Sequence, residues 1–152
     1  MVDAHEITPG VVYEDRNVTV TAFPVHHGDA LDAFGFRFET EDRTIVLSGD
    51  TSPTQSLLDH CGGCDVLIHE AYPLSTFGTT SPAWQEFRRT HHTSSEELAD
   101  IANAVRPGLL VIYHHSNAGG GPLSSDTEDV LLDEIRQRYK GRVVGGHDLD
   151  IF

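Results

Sequence analysis

RTIVLSGDTSP, residues 43–53, decides how this chain folds. An apolar run stops at a glycine, one aspartate follows, and Ser52-Pro53 starts a helix, proline being suited to the first helical position. The stretch therefore reads as a strand turning sharply into a helix. N-terminal to it the pattern is purely β. Residues 10–14 (GVVYE) and 17–25 (NVTVTAFPV) predict strands joined at Asp15-Arg16. Residues 33–39 and 43–48 predict a hairpin around Thr40-Glu41-Asp42.

C-terminal to it, strands and helices alternate. DVLIH (65–69) is a buried-type strand, and 70–91 reads as a long loop carrying Trp84 and Phe87, a substrate wall or a loop packed by its own aromatics. Thr93 and Glu96 predict a capping box for a helix over 94–105, in which Leu98, Ile101, Ala102 and Val105 share one face. LLVIY (109–113) is a continuous apolar run, the mark of a strand buried on both faces. A glycine-rich loop (117–122) leads to a helix capped by Ser125 and Glu128, with Leu131, Ile135 and Tyr139 inside. RVV (142–144) and LDIF (149–152) predict two short closing strands. The whole is α/β: one domain over 1–152, a mixed sheet with helices packed outside.

Composition narrows the function. Asp and Glu total 24 against 10 Lys and Arg, a formal charge of −14, with a single lysine, Lys140. Such an excess of carboxylates sets the expectation of a salt-adapted host, with an ordinary acidic cytosolic protein as the alternative reading. It opposes broad phosphate-backbone binding; Arg88-Arg89 is the one basic doublet, so a phosphodiester substrate would lean on a metal for positive charge. No apolar run approaches the roughly 20 residues of a membrane span, and the N-terminus lacks a leader pattern, which sets the expectation of a cytoplasmic protein. Cys61 and Cys64 stand as a lone CxxC, read as two small residues in a tight helix-to-strand turn rather than a redox or zinc motif.

Chemistry-bearing residues collect at the strand ends. His27, Asp50, His69 and His114 each follow or end an expected strand, and His92 opens the helix after the long loop. Imidazole and carboxylate converging at strand ends are ligand types for zinc and similar ions. Each has a structural alternative: Asp50 as a helix cap, His114 and His27 as satisfied polar groups, His69-Glu70 as a buried hydrogen-bonded pair.

Taken together, His27, GFR (35–37), SGDT (48–51), HE (69–70), HHTS (91–94), YHHS (113–116) and GGHDLDIF (145–152) resemble the metallo-β-lactamase superfamily, most closely its ribonuclease Z-like branch. The resemblance implies a metallo-β-lactamase-like αββα sandwich of which this chain supplies the C-terminal half. It also implies a zinc-dependent hydrolase attacking a phosphodiester or ester with water. His27, Asp50 and His114 would be metal ligands, Asp50 bridging two zinc ions. His92 would assist protonation of the leaving group, with His69 and Glu70 as support. The family's HxHxDH motif is absent from the sequence. Three ligands drawn from two metal positions complete neither, so weak zinc binding and little hydrolysis are expected of the chain alone. An uncovered sheet face would call for a further copy of the chain or a separately encoded N-terminal half. RNA and small-molecule esters both remain substrates in this reading. The competing readings are a binding or assembly module without catalysis, and a truncated fragment.

Overall fold

The computed structural model describes residues 4–114 and 125–152. The glycine-rich loop expected at 117–122, His115 and the Ser125 side chain lie outside the described residues. Seven strands form one sheet in sequence order: β1 (Gly10–Glu14), β2 (Thr19–Pro24), β3 (Phe34–Glu39), β4 (Thr44–Leu47), β5 (Val66–Glu70), β6 (Leu109–Tyr113) and β7 (Val143–Gly145). Pairing is antiparallel from β1 to β4 and parallel from β4 to β7. The change of pattern falls at β4, where the apolar run meets Gly49 and the chain must cross over through a helix instead of a hairpin.

Because β2 and β4 are both antiparallel to β3, they run the same way. The C-terminal ends of β2, β4, β5, β6 and β7 therefore lie along one edge. This edge is where ligands gather in open α/β sheets.

One sheet face is closed by helices α1 (Gln55–Cys61), α3 (Ser95–Val105) and α4 (Ser125–Arg138). Phe23, Val46, Leu67, Leu110, Ile112 and Val143 point there and bury with Leu57, Leu98, Ala102, Leu131 and Ile135. The alternate strand positions Val20, Phe36, Phe38, Ile45, Leu47, Val66 and Ile68 point the other way and are only half-buried, whereas Ala22, Leu109 and Val111 on the same face are buried. The sheet is thus packed on one side, with an apolar layer on the other.

Several local expectations are corrected. The segment 70–91 is not a loop: after a short 3-10 helix (Leu74–Thr79) it forms α2 (Pro82–His91), capped by the Ser81 side chain, with proline at the first turn. The capping box belongs to Ser94 and Glu97, one residue later than expected. Thr93 is diverted because its hydroxyl donates to the Thr51 carbonyl at 2.6 Å. Residues 149–152 form no strand. The chain turns there, with Asp150 N–H donating to the His147 carbonyl, and Leu149 and Ile151 are exposed. The His147 ring lies between Glu128 and Asp150, 3.0 and 3.3 Å away. Cys61 and Cys64 do occupy the tight turn after α1, but as a disulfide; Gly62 and Gly63 bring their Cα atoms to 4.9 Å.

Ser94 holds α3, and α3 abuts the sheet edge. Ser94→Ala removes a side-chain acceptor from the Glu97 N–H and is expected to cost about 1 kcal/mol of folding stability. Urea denaturation with an unchanged m-value checks it; an unchanged midpoint would show that the box carries no weight.

Candidate metal centre

Four of the residues singled out from sequence meet at this edge. His27 follows β2, Asp50 follows β4, His92 closes α2 and His114 follows β6. One ligand atom each from His27, Asp50 and His92 lies within 4.8 Å of the others. His114 joins through Asp50, its Nε2 standing 3.3 Å from Asp50 Oδ2, and its ring centroid is 6.0 Å from that of His92. His92 is buried, His27 and Asp50 are half-buried, and His114 is exposed.

Backbone geometry places these groups. Gly49 takes φ 65°, and a Cβ there would fall 2.6 Å from the Phe34 carbonyl oxygen, so only glycine lets the chain turn and present Asp50. His114 adopts φ 43°, a left-handed conformation that costs energy for a residue with a side chain. The segment carrying His27 is held against the β4–α1 turn by the His26–Ser52 bridge.

The histidine nitrogens are already sorted. His27 Nδ1 lies 2.8 Å from the His91 carbonyl oxygen, which can only accept, so Nδ1 carries a proton. Its Nε2 is then left with a lone pair. His92 Nδ1 lies 3.0 Å from Glu70 Oε1, which leaves Nε2 as the ring nitrogen free to act toward the centre. Orientation of metal-binding imidazoles by carbonyl and carboxylate partners is the arrangement such sites use. The donor set therefore fits a divalent ion.

Glu70 is the support. It is fully buried at the end of β5, and Oε1 accepts from His92 Nδ1, Thr51 N–H (3.1 Å) and Thr93 N–H (3.3 Å). Burial pushes the Glu70 carboxyl up, while the His92 and Thr51 hydrogen bonds pull against it. For His92, burial favours the neutral ring, but the hydrogen bond and charge of Glu70, with the charge of Asp50, outweigh it and raise its pKa.

His69 does not reach the centre. Strand alternation turns it to the helix-covered face, where it is wholly buried, and its Nδ1 meets the Glu70 carbonyl at 2.6 Å. Burial lowers its pKa to about 4, so it stays neutral. Of the HE pair, only the carboxylate faces the site. His91, the neighbour of His92, lies half-buried, stacks on Phe87 at 4.1 Å and meets His27 edge-on at 4.9 Å. The Ser81-Pro82 pair was the signal for the helix that brings it there.

The His92–Glu70 pairing gives a direct test. In the metal-free protein the His92 ring titrates above 6.5, the ordinary histidine value. Glu70→Gln removes the hydrogen-bonded charge that raises it and leaves the burial that lowers it, so the ring should then titrate at a lower pH than in the parent protein. Two-dimensional NMR of the imidazole protons reads both values; an unmoved titration would remove Glu70 from its role.

Comparison with known proteins agrees with this geometry. Residues 1–115 match the family model of the Beta-lactamase superfamily domain. A putative ribonuclease Z of Mycobacterium tuberculosis (strain CDC 1551 / Oshkosh) is 28% identical over 148 residues, 97% of this chain and 64% of that protein. The metallo-beta-lactamase fold protein YhfI from Bacillus subtilis superposes with a TM-score of 0.70 at 20% identity, over 92% of this chain and 51% of its own. The short form of human tRNase Z superposes with a TM-score of 0.62 at 21% identity, over 93% of this chain and 45% of its own. The chain spans roughly half the length of the curated relatives it matches, 53% in the ribonuclease Z of Mycobacterium tuberculosis strain H37Rv. A mixed sheet with helices on its outer face, histidines and an aspartate gathered at one strand edge, and these likenesses together place the chain in the metallo-β-lactamase superfamily, within its ribonuclease Z-like branch.

Proposed function

We propose that the chain is the metal-holding C-terminal part of a zinc-dependent phosphodiesterase, attacking its substrate with water. The observation that carries this is the convergence of His27, Asp50 and His92 within 4.8 Å, at a strand edge where His114 also reaches Asp50.

In this reading His27 Nε2, Asp50 and His114 Nε2 hold the metal. Bound there, zinc supplies an activated water and draws charge from the phosphoryl oxygens. His92 holds a proton at Nε2 rather than a metal, because Glu70 at its Nδ1 stabilises the charged ring. It passes that proton to the departing oxygen. Glu70 then steadies the ring through the cycle, itself fixed by the Thr51 and Thr93 amides. With an acidic chain around it, the phosphodiester finds its positive charge at the metal. The alternative, a binding module without catalysis, shares the centre and differs only in turnover.

Zinc titration of the metal-free chain should saturate, and His27→Ala and Asp50→Ala should each abolish it. Both variants retaining full zinc uptake would end the reading. Turnover of bis(p-nitrophenyl) phosphate by the chain alone should be slight, since three ligands from two positions complete neither.

The open apolar sheet face belongs to the same reading. An N-terminal half of the fold covers it, in line with the sequence spanning about half of its relatives; a second copy of this chain is the alternative. Light scattering across a hundredfold range of concentration separates them: a dimer assigns the face to self-association. A monomer that binds hydrophobic dye and gains turnover on adding a metallo-β-lactamase N-terminal half assigns it to that half.

A further inference from the structure

Trp84, Phe87 and His91 fall at i, i+3 and i+7 on α2, and their rings form a continuous stack. Trp84 and Phe87 lie 4.9 Å apart at 10°, Phe87 and His91 4.1 Å apart at 19°. The stack ends on the candidate metal centre. His91 meets His27 edge-on at 4.9 Å, and Phe87 lies 5.6 Å from His92. Gly28 makes room for it, since a Cβ there would sit 1.9 Å from His91 Nε2.

An aromatic stripe on a helix ordinarily serves the core. This one does not: Trp84 and Phe87 are half-buried and stand outside the hydrophobic cluster. A tryptophan fixed for packing usually finds an acceptor for its indole N–H. Trp84 Nε1 is itself buried yet has none among the described residues, so packing leaves it unsatisfied. Phe87 covers one face of the indole, and among the described residues no ring stacks on the other. The same helix carries the chain's one arginine doublet, of which Arg89 is exposed and lies over the Phe77 ring at 5.5 Å.

We propose that the Trp84–Phe87–His91 stack is a base-binding subsite, in which a nucleobase farther along the strand that carries the phosphodiester stacks on the outer face of Trp84, at the end of the stack away from the metal centre. The assignment rests on reading that centre as a phosphodiester site. It resolves a tension in the composition. A chain at −14 has little positive surface with which to grip a sugar-phosphate backbone. Stacking on an aromatic face needs no such charge and tolerates any base.

Trp84 is the chain's single tryptophan, so its fluorescence reports on the subsite directly. The full chain is titrated with adenosine monophosphate and, separately, with ribose phosphate, each with and without zinc. Adenosine monophosphate should quench Trp84 saturably, and ribose phosphate should not. In NMR the adenine ring protons should move upfield on binding. Trp84→Phe keeps an aromatic face and should retain that shift; Trp84→Leu should weaken binding about tenfold. Circular dichroism confirms that each variant is folded, and Trp84→Phe alone still tests the site if Trp84→Leu does not fold. No quenching and no adenine shift, or an equal response to ribose phosphate, overturns the proposal. Zinc uptake that depends on His27 and Asp50, without any adenine response, overturns the subsite and leaves the hydrolase reading standing. An adenine response without zinc uptake supports the subsite and removes the metal centre.

Discussion

A single buried carboxylate ties together the edge that carries the candidate metal centre. Glu70 ends β5 and accepts from the Thr51 amide after β4, from the Thr93 amide before α3 and from the His92 ring between α2 and α3. Three segments distant in sequence are thereby fixed to one oxygen. Burying a carboxylate is costly unless donors surround it. Here the donors to Oε1 are the His92 ring and the backbone of the turns that carry Asp50 and His92, so the contacts that set the site offset part of the cost, while Oε2 is buried without a partner among the described residues. Thr93 adds a second tie, its hydroxyl donating to the Thr51 carbonyl. Asp50 and His92 are thus placed by a network beneath them rather than by contact with each other.

Strand direction does the rest. With β2 and β4 parallel to each other through β3, and β5 to β7 parallel to β4, every strand that carries a site residue delivers it to one edge. His27 and His114 need local help beyond this. His27 is turned by its hydrogen bond to the His91 carbonyl, and His114 by a left-handed backbone at the end of β6. The helix α2 supplies that carbonyl and ends at His92, so it shapes two of the four site residues at once. Its aromatic stack then extends the edge away from the centre.

Much of this was legible along the chain. The apolar runs of β4, β5 and β6 and the buried face of α3 announced themselves by periodicity, because their side chains face a core whose period the sequence must match. His27, Asp50, His92 and His114 were legible because each sits just beyond such an element. The helix α2 was not, because its side chains serve a site and a stack instead of a core, and only Arg88 of its residues is fully buried. The shift of the capping box by one residue was hidden for a similar reason: Thr93 is an equally good cap until Thr51 claims its hydroxyl. His69 looked as promising as Glu70, and only strand alternation at the end of β5 separates them, sending the imidazole into the core and the carboxylate to the site.

Sequence alone determined the order of the seven strands, the three helices that face the core, and the acidity of the chain, since these follow from local periodicity and side-chain chemistry. Tertiary structure decided which nitrogen His27 and His92 present, and that among the described residues helices cover only one face of the sheet. Those outcomes depend on partners far away in sequence: the His91 carbonyl for His27, Glu70 for His92, and helices on only one side of a seven-stranded sheet.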